Sequence, residues 1–187
     1  PFIDFSVDEI DPVTGEVRRS LPLEEAPVQV TVSGDGQRLY VGLRNSWVLQ
    51  LDPHTFETVR TWDASPAPDS WGSTYPYSIE DLAVRPGHPD TLVVAVTQGF
   101  SPHFAVFRSY VDGALRDGDG GGGGLITFDG PDRIYSGRSM MTMNESGEIV
   151  DFVLLQGETN PPHLAEGPTV DERGRIMNPR RATQIGQ

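Results

Sequence analysis

The side chains with chemistry to offer are few: four histidines, scattered carboxylates, one aromatic-rich stretch and one acidic glycine run. His54, His88, His103 and His163 form no His-Glu-x-x-His and no i, i+2 or i, i+4 pair, so their spacing builds no shared metal site. Hydrolysis assisted by a divalent metal would need carboxylates and Asn or His converging on one point. Asp35, Glu80, Asp81, Glu166 and Asp171 fall near the ends of predicted strands, where their side chains could point inward. Glu80-Asp81 is the best pair, because it opens a predicted inner strand, but a turn or solvated face accounts for it more simply. Asp117-Gly118-Asp119-Gly120 resembles the opening of a calcium loop, which needs alternating oxygen ligands and a distal Glu. Five glycines follow Asp119 and the next carboxylate is Asp129, so a flexible connector fits better. No Gly-x-Ser-x-Gly supports a serine nucleophile. The closest string, Asn144-Glu145-Ser146-Gly147, is also a formal glycosylation sequon, but it sits in a repeated turn. The residues therefore predict no metal and no cofactor. What remains is the loop 64–76 with Trp71 and Tyr75, followed by Tyr77, whose rings suit stacking on a sugar or a peptide. The competing role for these rings is to cover a sheet edge or plug a neighbouring sheet.

Composition narrows the classes further. The 187 residues suit one core or one repeat array rather than two independent cores. Hydrophobic residues make up 36%, and 8 Phe, 3 Trp and 5 Tyr make a folded core plausible. With 21 Gly and 16 Pro, about a fifth of the chain is turn-forming. A net charge of −13 disfavours phosphate backbones, so nucleic acid is not an expected partner. All 14 basic residues are arginine, which removes Schiff-base chemistry and the Gly-Lys phosphate loop. With no cysteine, there is no disulfide, no thiolate catalysis and no cysteine zinc site. No apolar run reaches the ~20 residues of a membrane-spanning helix. The opening Pro1-Phe2-Ile3 reads as the start of a processed or excised piece of a longer chain.

The elements that must position these residues are short strands. Apolar alternation bounded by Gly, Pro and Asp turns predicts strands over 2–10, 16–23, 28–33, 38–43, 47–51 and 57–62. More follow at 78–84, 91–97, 104–111, 125–128, 133–135, 139–143 and 148–156, with short ones at 169–170 and 174–177. No convincing helix appears.

Internal repetition is the most informative signal. A unit of apolar residue, Asp or Asn, turn, then Glu and an apolar residue occurs three times. It reads Ile10-Asp11-Pro12-Val13-Thr14-Gly15-Glu16-Val17, then Leu51-Asp52-Pro53-His54-Thr55-Phe56-Glu57. It returns, degraded, as Met143-Asn144-Glu145-Ser146-Gly147-Glu148-Ile149, and Val111-Asp112-Gly113-Ala114-Leu115 fills the missing place. A second unit, turn-Arg-apolar-Tyr or Met, occurs at Gly36-Gln37-Arg38-Leu39-Tyr40, Pro131-Asp132-Arg133-Ile134-Tyr135 and Arg173-Gly174-Arg175-Ile176-Met177. Asp11 to Asp52 is 41 residues and Arg133 to Arg175 is 42. Two interleaved motifs with a period in the forties describe a four-stranded sheet that stacks radially on its neighbours, a β-propeller blade.

The stretch Val30-Thr31-Val32-Ser33-Gly34-Asp35-Gly36-Gln37-Arg38-Leu39-Tyr40-Val41 resembles the YVTN-type blade of lactonase-like and surface-layer propellers. Trp47-Val48-Leu49-Gln50-Leu51-Asp52-Pro53 is similar to that family's next strand, with Gln50 polar where the strand is usually apolar. Tyr40-Val41-Gly42-Leu43 keeps half of the family signature.

The expected fold is therefore all-β: a β-propeller of about four blades of four antiparallel strands, or a fragment of a larger one. Residues 1–23 supply the outer strands of a shared blade; 24–64, 65–117 and 118–156 supply three blades; 157–187 supply the inner strands of a shared blade. The expected role is a non-enzymatic scaffold or binding module of an exported or surface protein. It would recognise a protein or carbohydrate through Trp71, Tyr75 and Tyr77, and self-associate through open blade edges. The alternative implied by the resemblance is a metal-dependent lactonase-like hydrolase with its site in the central channel.

Overall fold

The computed structural model describes residues 5–66, 76–98, 105–116, 120–121, 124–137 and 139–154, together with 169–170 and 176–177. Every regular element among them is a strand. β1 (Phe5–Ile10) and β2 (Val17–Leu23) form a two-stranded antiparallel sheet. β3 (Pro27–Val32), β4 (Leu39–Leu43), β5 (Trp47–Leu51) and β6 (Thr58–Asp63) form blade 1, paired in that order. β7 (Tyr77–Val84), β8 (Thr91–Gln98), β9 (Ala105–Val111) and β10 (Ala114–Leu115) form blade 2, in which β11 (Gly120–Gly121) also pairs with β9. β12 (Ile126–Asp129), β13 (Arg133–Ser136), β14 (Ser139–Met143) and β15 (Ile149–Leu154) form blade 3. β16 (Thr169–Val170) and β17 (Ile176–Met177) make a second two-stranded sheet.

Side-chain alternation decides which faces meet. On β4, Leu39, Val41 and Leu43 pack with Val7 and Leu51 and with Leu21 and Leu23 of the β1–β2 hairpin. Tyr40 and Gly42 lie on the opposite face, against blade 2. On β8, Leu92, Val94 and Val96 face blade 1, whereas Val93 and Ala95 face blade 3. A strand buried on both sides must be apolar at successive positions, and β8 is. Gly42 is required by this stacking: a Cβ there would lie 2.7 Å from Ile79 Cγ2 of β7.

The repeated turn has one local cause. Asp11 Oδ1 accepts backbone N–H bonds from Val13 (2.8 Å) and Thr14 (3.1 Å), and Asp52 Oδ1 accepts from His54 (2.7 Å) and Thr55 (3.0 Å). Asn144 Oδ1 accepts from Glu148 N (2.9 Å) and Ser146 Oγ (2.8 Å) in the shorter third copy. Gly15 and Gly147 close their turns at φ 75° and 86°; Phe56 does the same at φ 64°. For a non-glycine this conformation costs about 1–2 kcal/mol. Packing of the Phe56 ring against the Leu39–Leu51 cluster, with Arg19 4.6 Å above its centre, offsets that cost.

The strand pattern departs from the sequence reading in two places. Part of the glycine run expected as a flexible loop is a strand: Gly120 and Gly121 pair with Phe107 and Val106 of β9. Backbone pairing needs no side chain, and β10, only two residues long, leaves that part of the β9 edge open. Glu80 and Asp81 do not open a strand but sit within β7, at a bulge between Ile79 and Asp81.

Candidate functional site

The first strands of the three blades lie side by side, β3 against β7 and β7 against β12. Here the paired carboxylates reveal their role. Asp81 Oδ1 accepts from its neighbour Leu82 N at 2.8 Å, and Oδ2 accepts from Ile126 N of blade 3 at 2.7 Å. Burial pushes the Asp81 carboxyl up from its ordinary value, and the two N–H bonds only partly oppose this. On the other side, Gln29 Nε2 of β3 donates to the Glu80 carbonyl at 3.1 Å. The Glu80-Asp81 segment thus links blade 1 to blade 3, using one backbone carbonyl and one carboxylate.

A second set of ties joins the turns that connect first and second strands. Arg38 Nε of blade 1 donates to Asp90 Oδ1 of blade 2 at 2.9 Å, and Tyr40 OH donates to Pro89 O at 2.7 Å. One blade further on, Arg85 Nε donates to Pro131 O (2.8 Å), and its two terminal nitrogens donate to Asn144 O (2.9 Å) and Asp132 Oδ1 (2.9 Å). Arg85 is 2% exposed. A planar guanidinium is the side chain that can serve three diverging acceptors at once. Pro89-Asp90 and Pro131-Asp132 occupy equivalent places, and each receives an arginine from the blade before it. The sequence carries this pattern as a Pro-Asp pair repeated at a spacing of 42, a signal outside the two repeated units because Pro89-Asp90 is followed by Thr91 rather than Arg.

The other sequence candidates divide clearly. Asp35 is exposed, and bonds from Ser33 Oγ (2.6 Å) and Gln37 N (3.0 Å) hold its carboxyl below the ordinary value. His54 and His88 are both exposed in turns. The His54 turn is gripped by Arg19, which donates to the carbonyls of Pro53 (3.1 Å) and His54. Among the described residues, no three His, Asp or Glu side chains gather to hold a metal ion. The Asn144-Glu145-Ser146 string is the Asn144 turn described above, and its Asn144 carbonyl serves Arg85. Tyr77 begins β7, opposite Gln98, and is half-buried against the cluster of Tyr40, Val48, Ile79 and Tyr110. It fills the seam between blades 1 and 2, which is the covering role weighed against recognition for this ring. Trp71, Tyr75, His103, Asp117, Asp119, His163, Glu166 and Asp171 lie outside the described residues. A pocket of about 70 Å³ opens between the β3–β4 and β7–β8 turns, lined by Gly34, Asp35, Arg85, Gly87, His88 and Pro89. Small-molecule sites are usually several times larger.

These sheets and their radial seams define an all-β chain of β-propeller type, a propeller or a fragment of one. Solved structures agree. The chain is similar to a protein of unknown function from Bacteroides caccae, at 10% identity and TM-score 0.54, over 92% of this chain and 60% of that one. It is also similar to the Pan2 WD40 domain of Neurospora crassa, at 14% identity and TM-score 0.56, over 88% of this chain and 50% of that one. The chain thus spans three-fifths of the length of the first of these structures and half of the second. No family model and no curated protein matches the sequence, so the YVTN resemblance rests on the blade motif alone.

Proposed function

We propose that the chain is a non-enzymatic binding or scaffold module whose recognition surface is the loop between β6 and β7, with Trp71 and Tyr75 as its contact residues and Tyr77 as its anchor on blade 2. The observation that carries this reading is the employment of the charged groups at the blade ends. Arg38, Arg85, Asp81, Asp90 and Asp132 tie one blade to the next. Asp81 has both oxygens engaged by backbone N–H groups, which speaks against its use as a metal ligand for a lactonase-like hydrolase. Trp71 and Tyr75 fall in the sequence between β6 and β7, and segments that connect strands are where recognition residues concentrate. The wet partner surface of an exported or cell-surface protein fits an acidic chain with no lysine.

The test is binding of the 187-residue chain to arrays of oligosaccharides and of immobilised peptides, with Trp71→Ala and Tyr75→Ala compared in parallel. The reading expects a bound class of probe, at least tenfold weaker binding by Trp71→Ala, and an unchanged unfolding midpoint. Equal binding by the variants would retire the loop as the contact surface. Turnover of a lactone by the metal-supplemented chain, lost in a Glu80→Gln variant of unchanged stability, would replace the reading with the hydrolase.

A further inference from the structure

Two tryptophans of blade 1 lie on opposite faces of its sheet. Trp62 of β6 points into the seam with blade 2, against Tyr40 and Tyr110. Its cross-strand partner is Val48, so Trp47, one residue earlier on β5, points to the other face. Trp47 is 40% exposed. Packing of the repeat does not ask for an indole there. Counted from the Leu39–Leu51 and Leu92–Tyr110 pairs, the same place on blade 2 is held by Val106.

The surroundings of Trp47 are acidic. Its cross-strand partner is Asp63, exposed at the end of β6. Side chains paired in this way share one face, with Cβ atoms about 4.5–5.5 Å apart. Both residues are set by their own turns: Asp63 Oδ1 accepts from Ser65 N at 2.8 Å, and Trp47 N donates to Asn45 Oδ1 at 3.3 Å. Arg44 N donates to Ala26 O at 2.9 Å, which draws the segment carrying exposed Glu24 alongside. Among the described residues, no cation pairs with Asp63. Among them too, the ring with a cation above it is Phe56, under Arg19. Arg44, three residues before Trp47, does not take that place over the indole.

We infer that this end of blade 1 takes the cationic side chain of a basic segment of another protein, seated on Trp47 and paired with Asp63. An uncovered indole attracts a cation through its ring face, and a carboxylate on the same face of the sheet supplies the opposite charge. A flat guanidinium stacks on a ring and pairs with a carboxylate at once, so arginine fits this pair better than lysine. Charge complementarity selects the partner: the chain carries −13 and has no lysine of its own. The inference rests on the binding-module reading above. It narrows the partner from sugar or peptide to a basic peptide, and its contact residues are Trp47 and Asp63 rather than those of the loop between β6 and β7.

The test is fluorescence anisotropy of a dye-labelled heptapeptide alternating glycine and arginine, titrated with the 187-residue chain. Salt at about 0.15 M screens diffuse attraction beyond ~8 Å. The same peptide with citrulline in place of arginine keeps the shape and removes the charge. The arginine peptide is expected to bind saturably, and the citrulline peptide not to bind. Trp47→Ala is expected to weaken binding about tenfold, and Trp47→Phe by less. Asp63→Asn keeps an acceptor for Ser65 N and is expected to weaken binding about threefold. Unfolding midpoints of Trp47→Phe and Asp63→Asn should match the wild type. Absence of saturable binding would overturn the inference, as would equal binding of the citrulline peptide. Wild-type binding by both Trp47→Ala and Asp63→Asn would also overturn it, because general attraction to an acidic chain would then suffice. Trp71→Ala, run in parallel, separates this inference from the loop reading. Weak binding by Trp71→Ala with Trp47→Ala at wild-type strength would overturn the inference and leave the loop reading standing. The reverse result would support the inference and retire the loop as the contact surface for this peptide.

Discussion

Blade 2 is gripped from both sides, and the two grips differ. Toward blade 1 the seam is aromatic: the Trp62 ring lies 5.6 Å from Tyr110 and 6.3 Å from Tyr40. It carries polar atoms with no partner among the described residues, including Gln50 Oε1, Trp62 Nε1 and Tyr110 OH. Its arginine tie, Arg38–Asp90, is about one-third exposed at both ends. Toward blade 3 the seam is aliphatic and thioether, built from Val93, Ala95, Phe107, Ile126, Ile134, Met141 and Met143. Its arginine tie is wholly buried on the Arg85 side and has three acceptors. The two arginines leave from opposite ends of equivalent turns, Arg38 just before β4 and Arg85 just after β7, and they do different work. Arg38 decorates a seam held by large rings, whereas Arg85 is a hub on which two turns of blade 3 depend.

Removing the two arginines is the sharpest way to break this comparison. Arg85→Ala would leave the Pro131 and Asn144 carbonyls without their donor and open a cavity, at an expected cost of about 3 kcal/mol. Arg38→Ala removes a pair about one-third exposed at both ends and should cost below about 1 kcal/mol. Arg85→Lys should recover little, because an ammonium cannot reach three diverging acceptors. Urea unfolding of the three variants measures this directly. Equal losses for Arg85→Ala and Arg38→Ala would show that the two ties are equivalent and that burial is not what separates them.

A smaller effect separates Asp81 from the turn aspartates. In Asp11, the Val13 N–H, then Arg18 and the Thr14 N–H, hold the carboxyl below its ordinary value; in Asp52, the His54 and Thr55 N–H groups do so. Burial pushes Asp81 the other way. The signs are opposite. For Asp11 and Asp52 the folded state favours the charged form, so their stabilisation is present above pH 3.8 and is lost as pH falls through their folded values. For Asp81 the folded state favours the neutral form, so its ionisation weakens the fold as pH rises from 3.8 through its raised value. A carboxyl-carbon NMR titration should show Asp81 protonating first on acidification, before Asp11 and Asp52. Asp81 titrating together with the turn aspartates would mean that the contact with Ile126 leaves it solvated.

What the sequence discloses here follows the range of the interaction. Strand positions and the Asp turns are local: alternation over five or six residues, or an Asp two residues before an N–H, fixes them, and β3 to β9 and β12 to β15 fall close to the expected ranges. The Glu80-Asp81 pair was visible as a pair, but its role depends on Ile126 N, 45 positions away. Arg85 looks like a turn residue until the turns at 131–132 and 144 fold over it. Gln50 is polar in an otherwise apolar stretch of β5, and it is 2% exposed on the face it shares with Tyr40. Nothing local separates a seam ring such as Tyr77 from a recognition ring; only the neighbouring blade does.

The smallest effect tests the aromatic seam itself. Tyr110 is 3% exposed, its hydroxyl has no partner among the described residues, and burial pushes its ionisation up to about 12. Tyr40 is equally buried, but its hydroxyl donates to the Pro89 carbonyl. Removing a buried hydroxyl that makes no bond relieves a desolvation cost, whereas removing one that does leaves its acceptor unsatisfied. Tyr110→Phe should therefore be neutral or stabilising by up to about 1 kcal/mol, and Tyr40→Phe should lose about 1 kcal/mol. Both keep the ring and hence the contacts with Trp62, so urea unfolding with an unchanged slope isolates the hydroxyl. If Tyr110→Phe loses more than Tyr40→Phe, the blade 1 seam is held by a polar network through Tyr110, and its contrast with the aliphatic seam of blade 3 becomes one of kind of bond rather than of unmet bonds.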